Sequence, residues 1–159
     1  MGRYLLAIDQ GTTGSTALII DQSLSIVGKE TIDFPQHFPQ PGWVEHNPQE
    51  IWASVREAIG AVLENTSIAA ADLAAIGITN QRETSLLWDK ASGIAIANAI
   101  VWQCRRTSDF CRELKNKGLE TLFRRRTGLV LDPYFSGTKV RWLLDNVSDA
   151  RTRAEKGKL

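Results

Sequence analysis

Asp9 is followed by Gly11, Thr12, Thr13 and Gly14, and this cluster lies between two apolar runs, YLLAI and TALII. The spacing reads as a strand, a tight turn and a returning strand, with a carboxylate at the end of the first. Two glycines in such a turn let the backbone take positive φ and bring its N–H groups close to an anion, and the threonine hydroxyls add further donors. A carboxylate beside phosphates can hold a hydrated magnesium ion. The chemistry suggested is a phosphate-holding hairpin. The competing reading is an ordinary hairpin, because Gly, Thr and Ser are common turn residues. The turn leads into a strand, whereas the dinucleotide fingerprint and the P-loop both lead into a helix, and no GxxxxGK[ST] occurs.

Further polar clusters stand where predicted strands end: Asn80 to Thr84, and Trp102 to Arg106. Ligands of open α/β sheets bind beyond the strands' carboxyl ends. A last cluster, Asp132, Pro133 and Tyr134, begins a turn before a helix that Ser136 is expected to cap.

The elements that must carry these clusters can be read from periodicity. Tyr4 to Ile8, Thr16 to Ile20 and Ile26 to Phe34 read as strands, the first two apolar enough to be covered on both faces. FPQHFPQPGWVEHNP reads as an ordered loop without regular structure. Asn47, Pro48 and Glu50 start a helix, and Ile51, Val55, Ile59, Val62 and Leu63 mark its buried face. AAIGITN is a fourth strand, SLLWD and AIVWQ are further candidates, and from Thr107 onward the pattern is helical. The expectation is an α/β fold with a mixed sheet.

A chain of 159 residues can bury one good core, and a single domain is the default. Apolar stretches are cut by Asp9, Asp72 and Glu83 before they reach membrane-spanning length, and YLLAI meets Asp9 too early for a signal peptide, so a cytoplasmic protein is expected. Cys104 and Cys111 have neither zinc nor disulfide-framework spacing and read as reduced structural thiols. His37 and His46 lack a third ligand nearby and are given no role. Residues 1–103 hold 5 Lys and Arg against 11 Asp and Glu, and residues 104–159 hold 14 against 7. The basic end lacks interleaved aromatics around Arg124, Arg125 and Arg126, so a solvated or interdomain face is favoured over nucleic acid.

DQGTT, PGWVEHNP, ITNQRET, AIVWQ and TGLVLDPYFSGTK occur in one order, and on these motifs the whole chain resembles the opening part of the FGGY family of carbohydrate kinases. The resemblance implies a ribonuclease-H-like (actin-like ATPase) fold, incomplete here, with residues 1–159 forming the N-terminal part of the first kinase domain. It implies ATP and Mg2+ as cofactors, phosphoryl transfer to a small polyol, glycerol above others, and a homo-oligomeric parent with no nucleic-acid or membrane partner. Carried over by position, Asp9, Thr12, Thr13 and Gly14 face the nucleotide phosphates, with Asp9 toward magnesium. Arg82 and Glu83 hold the polyol, Trp102 covers its carbon backbone and Tyr134 adds a hydroxyl bond. A guanidinium fork donates to hydroxyl oxygens while a carboxylate accepts their protons. Taken without the resemblance, the same residues are a surface ion pair, a core tryptophan and a helix-start tyrosine.

Two positions depart from the family's pattern: Thr16 stands where an arginine is common, and Gly14 where a serine is usual. The resemblance also places the catalytic base and the adenosine-holding domain beyond this chain, so the remainder of the kinase chain is an expected partner and the fragment alone is expected to be inactive. Two alternatives stay open: a kinase for another small sugar or polyol, and an actin-like nucleotide switch. A purely structural fragment that self-associates through an open sheet edge is a further one.

Overall fold

The first three apolar runs form β1 (Tyr4–Gln10), β2 (Gly14–Ile20) and β3 (Ile26–Asp33), joined as successive antiparallel hairpins. The computed structural model describes residues 3–159. Helix α1 (Pro48–Thr66) then carries the chain to β5 (Leu73–Asn80), which pairs parallel to β1 and gives the sheet order β3-β2-β1-β5. The mixed α/β sheet is the one expected. Asn47 starts α1 by accepting from the Gln49 N–H at 2.9 Å, Pro48 fills the first turn, and Ser67 ends the helix in the left-handed region.

These elements form one compact unit, Met1–Gln36 with Asn47–Gln81. Its core follows the two-residue strand period, with Leu6 and Ile8 of β1, Ala17 and Ile19 of β2, and Ala58 and Val62 of α1 buried together. Gly28 allows the approach of the helix, because a Cβ there would lie 2.3 Å from Thr66 Cγ2. The expectation of cover on both faces is not met by β1, where Leu5 is exposed while its neighbour Leu6 is buried; β2 has no exposed residue. α1 lies over β2 and β3. Ile76 and Ile78, in register with Leu6 and Ile8, are therefore left 58% and 73% exposed.

The second unit is His37–His46 with Arg82–Leu159. The proline-rich loop is not wholly irregular, since β4 (Glu45–His46) pairs antiparallel with β6 (Ala99–Ile100). SLLWD forms no strand. Only Ser85 and Trp88 make isolated bridges, to Ile100 and Ala95, because Asp89 turns the chain by accepting from the Ala91 and Ser92 N–H groups. AIVWQ shortens to two residues, as the Cys104 N–H bonds back to the Val101 carbonyl at 2.9 Å and ends the strand.

The helical remainder comprises α2 (Ser108–Asn116), α3 (Glu120–Thr127), α4 (Ser136–Asn146) and α5 (Ala150–Glu155). Ile100, Cys104 and Leu143 form the core of this unit, edged by Trp43 and Trp142. Both cysteines are buried free thiols. Among the described residues no helix is long and apolar enough to cross a membrane.

Candidate functional site

In the first unit, the parallel register of β1 and β5 sets Asp9 beside Thr79 and Gln10 beside Asn80, so two strand carboxyl ends meet. The Gln81 N–H continues the ladder to the Gln10 carbonyl at 2.7 Å. The turn after Asp9 closes with a bond from the Gly11 N–H to the Gly14 carbonyl at 2.9 Å. Its next two carbonyls are taken by the protein: Gln36 Nε2 donates to that of Thr12 at 2.9 Å, and the Phe34 N–H to that of Thr13 at 3.1 Å. Bonded in this way, these carbonyl oxygens are not left free to repel an anion at the turn.

The role expected of the glycines is corrected by the backbone, because neither Gly11 nor Gly14 has positive φ. They serve close approach instead. A Cβ on Gly14 would lie 2.9 Å from the Ile32 carbonyl and 2.7 Å from Asp33 Oδ1, and one on Gly11 would lie 3.0 Å from the Gly14 carbonyl. Asp9 and Thr13 are exposed at the turn. Thr16, at the position where the family commonly carries arginine, shares a 2.9 Å hydroxyl bond with Thr31 across the sheet. Below the turn, the Ser15 and Ser54 hydroxyls meet at 2.8 Å and tie the hairpin to α1.

In the second unit, Glu83 takes a left-handed backbone with φ of 63°. For a residue with a side chain this costs about 1–3 kcal/mol and persists only where surrounding contacts over-determine it. Those contacts come from α4. Ser136 donates its N–H at 2.9 Å and its hydroxyl at 2.7 Å to Glu83 Oε2, and Lys139 Nζ donates to the Glu83 carbonyl at 2.8 Å. Ser136 is therefore the first residue of α4, bonded to Glu83, and not the helix's side-chain cap that its position had suggested.

Lys139 Nζ also donates to the Tyr134 carbonyl. The Tyr134 ring in turn meets the Trp102 ring edge to face, with centroids 5.9 Å apart. Asp132 shapes the turn leading in, accepting from the Tyr134 N–H at 2.8 Å and from Arg105 Nη1 at 3.1 Å. Of the expected polyol residues, the structure thus links Glu83, Tyr134 and Trp102 into one cluster; Arg82 stands exposed beside Glu83 in the chain. Sequence reading missed Lys139. Its only signal was a lysine three positions after Ser136, which places both on one side of a helix.

Lys139 is completely buried. Burial pulls its pKa down to about 8, against the opposing pull of the Glu83 carboxylate. A cavity of about 420 Å³ opens nearby, lined by Phe110, Leu114, Phe123, Leu131, Phe135 and Arg141 among others. It is apolar, and Glu83, Trp102 and Tyr134 do not line it. Size alone does not make it the polar site. Among the described residues no group of three His, Cys, Asp or Glu could hold a metal ion; a single exposed carboxylate such as Asp9 suits a largely hydrated ion bound mainly by its ligand's phosphates.

The chain matches the N-terminal domain of the FGGY family of carbohydrate kinases over residues 4–158. It is 57% identical over 159 residues to a glycerol kinase of Rhizobium rhizogenes and 55% identical over 159 residues to one of Geobacillus sp., covering 100% of this chain in both cases. It spans 32% of each of those relatives, about a third of their length. Among solved structures it resembles a Plasmodium falciparum glycerol kinase with ADP, at 31% identity and a TM-score of 0.87, over 98% of this chain and 31% of that one. The fold is the ribonuclease-H-like, actin-like ATPase fold of these sugar kinases. With the match running almost from end to end, the chain belongs to the FGGY family of carbohydrate kinases.

Proposed function

We propose that this chain is the N-terminal portion of an ATP-dependent glycerol kinase, which passes the γ-phosphoryl group of ATP to a hydroxyl of glycerol to give glycerol 3-phosphate. The observation that carries this reading is the cluster of Glu83, Tyr134 and Trp102, of which the first two are bonded by residues of the first turn of α4 and the third meets the Tyr134 ring. It occurs in a chain whose every residue aligns with glycerol kinases at 55–57% identity. A nucleotide switch has no use for such a cluster. Another polyol kinase does, and substrate profiling separates it from the glycerol reading.

In this reading the carboxylate of Glu83 accepts a hydrogen bond from a polyol hydroxyl through Oε1, since Oε2 is occupied by Ser136. Arg82 donates to a hydroxyl oxygen, Trp102 lies against the carbon backbone, and the Tyr134 hydroxyl completes the hold. Such positioning is a large part of catalysis in phosphoryl transfer. On the other unit, Thr12, Thr13 and Gly14 hold the phosphates of ATP, and Asp9 holds magnesium through water. When bound, the ion neutralises charge on the phosphates. The base that takes the acceptor's proton lies outside this chain in this reading.

The test uses the complete kinase that carries this segment. Arg82→Ala should raise the KM for glycerol about 10- to 100-fold, equivalent to losing one or two charged hydrogen bonds, with the KM for ATP nearly constant. An unchanged glycerol KM removes the polyol assignment. The isolated 159-residue chain should show no turnover with ATP, magnesium and glycerol; turnover would mean that a base is present within it.

A further inference from the structure

A fully buried lysine needs a reason. Lys139 has no exposed surface, and among the described residues no carboxylate lies within ion-pair distance of its Nζ. Removing an ammonium group from water is expensive, and the carboxylates of Glu83 and Asp132, beyond ion-pair distance, offset it only in part. Methionine would fill the same space without that penalty. What methionine could not do is donate to two main-chain carbonyls at once, those of Glu83 and Tyr134. Those carbonyls belong to two residues assigned to the polyol, and one of them is held in a strained backbone conformation.

Ser136 lies one helical turn before Lys139 and acts on the same target from the other side, through the Glu83 carboxylate. One residue fixes the side chain of Glu83 and the other fixes its main chain. From this geometry we propose that the first turn of α4 is the positioning device of the polyol pocket, with Lys139 and Ser136 as positioning residues that set where Glu83 and Tyr134 meet the acceptor. The proposal rests on the polyol reading above. The clamp does not depend on the lysine's charge, because a neutral amine still carries two N–H donors for two carbonyls.

The experiment compares Lys139→Met, Ser136→Ala and Leu143→Ala in the complete kinase, with Arg82→Ala as the reference for the polyol reading. Leu143 belongs to the same unit's buried core and touches no assigned site residue through a hydrogen bond. Lys139→Met should raise the glycerol KM about tenfold while the ATP KM stays within about twofold, the signature of lost substrate positioning. Leu143→Ala should lower the melting temperature and leave the glycerol KM in place. A glycerol KM unmoved by Lys139→Met, with Arg82→Ala still raising it, overturns the positioning role and leaves the polyol site standing. If Arg82→Ala also has no effect, the polyol reading itself has failed. Should Lys139→Met not fold, Ser136→Ala decides, and an unchanged glycerol KM there overturns the proposal.

Discussion

The guanidinium of Arg106 lies 3.8 Å from the ring centroid of Trp43. The Trp142 ring lies 4.6 Å away, nearly perpendicular to Trp43 with the two centroids 5.2 Å apart, so the cation sits in the corner of two indoles, and its Nη2 reaches Glu45 Oε1 at 2.7 Å. Only 1% of the side chain is exposed, so this cation is part of the second unit's core. A planar fork can lie over an indole face while it donates to Glu45, and lysine lacks that shape.

Arg106→Lys should therefore destabilise the chain by about 2 kcal/mol although charge is conserved. Arg106→Met should cost about 3–5 kcal/mol, because it also leaves the Glu45 carboxylate without its partner. Urea denaturation measures both, through a lowered midpoint at constant slope. A lysine variant with the parent's midpoint would show that the contact of guanidinium with the two indoles contributes nothing.

Gly28 and Thr66 set the approach of α1 to β3. A Cβ at Gly28 would strike Thr66 Cγ2 at 2.3 Å and reach Val62 Cγ2 at 3.2 Å. Gly28→Ala should lose about 1–3 kcal/mol by overpacking. Thr66→Ser removes the offending methyl and keeps the hydroxyl that bonds the Val62 carbonyl at 2.6 Å. The double variant should regain most of the loss, a coupling that a double-mutant cycle measures. Simple additivity would refute the contact.

What sequence alone made legible is the set of features written in local code. The apolar runs of β1 to β3, the Asn47–Pro48 start of α1 and the strand ending at Asn80 all follow from neighbouring residues. SLLWD failed as a strand because pairing is not local: Ile100 is shared between β4 and Ser85, and no longer partner is present among the described residues. Arg106 and Lys139 sit in the basic end, whose charges read as a solvated face, yet both side chains are buried by contacts far away in sequence. The tie from Glu83 to Ser136 spans 53 positions. No periodicity encodes such a contact; the family resemblance joined Glu83 to Tyr134 but left Ser136, two positions further on, as a helix cap.

Lys139 also makes a pH-dependent contribution whose sign follows from its lowered pKa. The group titrates near pH 8 in the folded chain and at its ordinary value of 10.5 when unfolded. Between these values the unfolded state binds more protons, so stability rises with pH. Relative to Lys139→Met, the parent should gain stability from pH 8 to pH 10. Denaturation at fixed ionic strength across that range checks it, and a constant difference between the two proteins would mean that the lysine titrates normally.

Asp89 gives the same sign at acid pH from a different cause, since its charged form is favoured by bonding where that of Lys139 is disfavoured by burial. Its Oδ1 accepts from the Ser92 N–H and hydroxyl, each at 2.9 Å, and its Oδ2 meets Arg153 of α5 at 2.8 Å. The bond from the Ser92 N–H, then Arg153, hold the carboxyl at about 2, below its ordinary 3.8. Because the folded pKa is the lower one, the stabilisation is complete above about pH 4 and disappears as pH falls toward 2. Asp89→Asn removes it at every pH. The melting temperatures of parent and variant should then differ at pH 6 and converge toward pH 2, and amide protection in α5 should fall in the variant at neutral pH. A gap that persists unchanged at pH 2 would place the stabilisation in packing and not in the carboxylate.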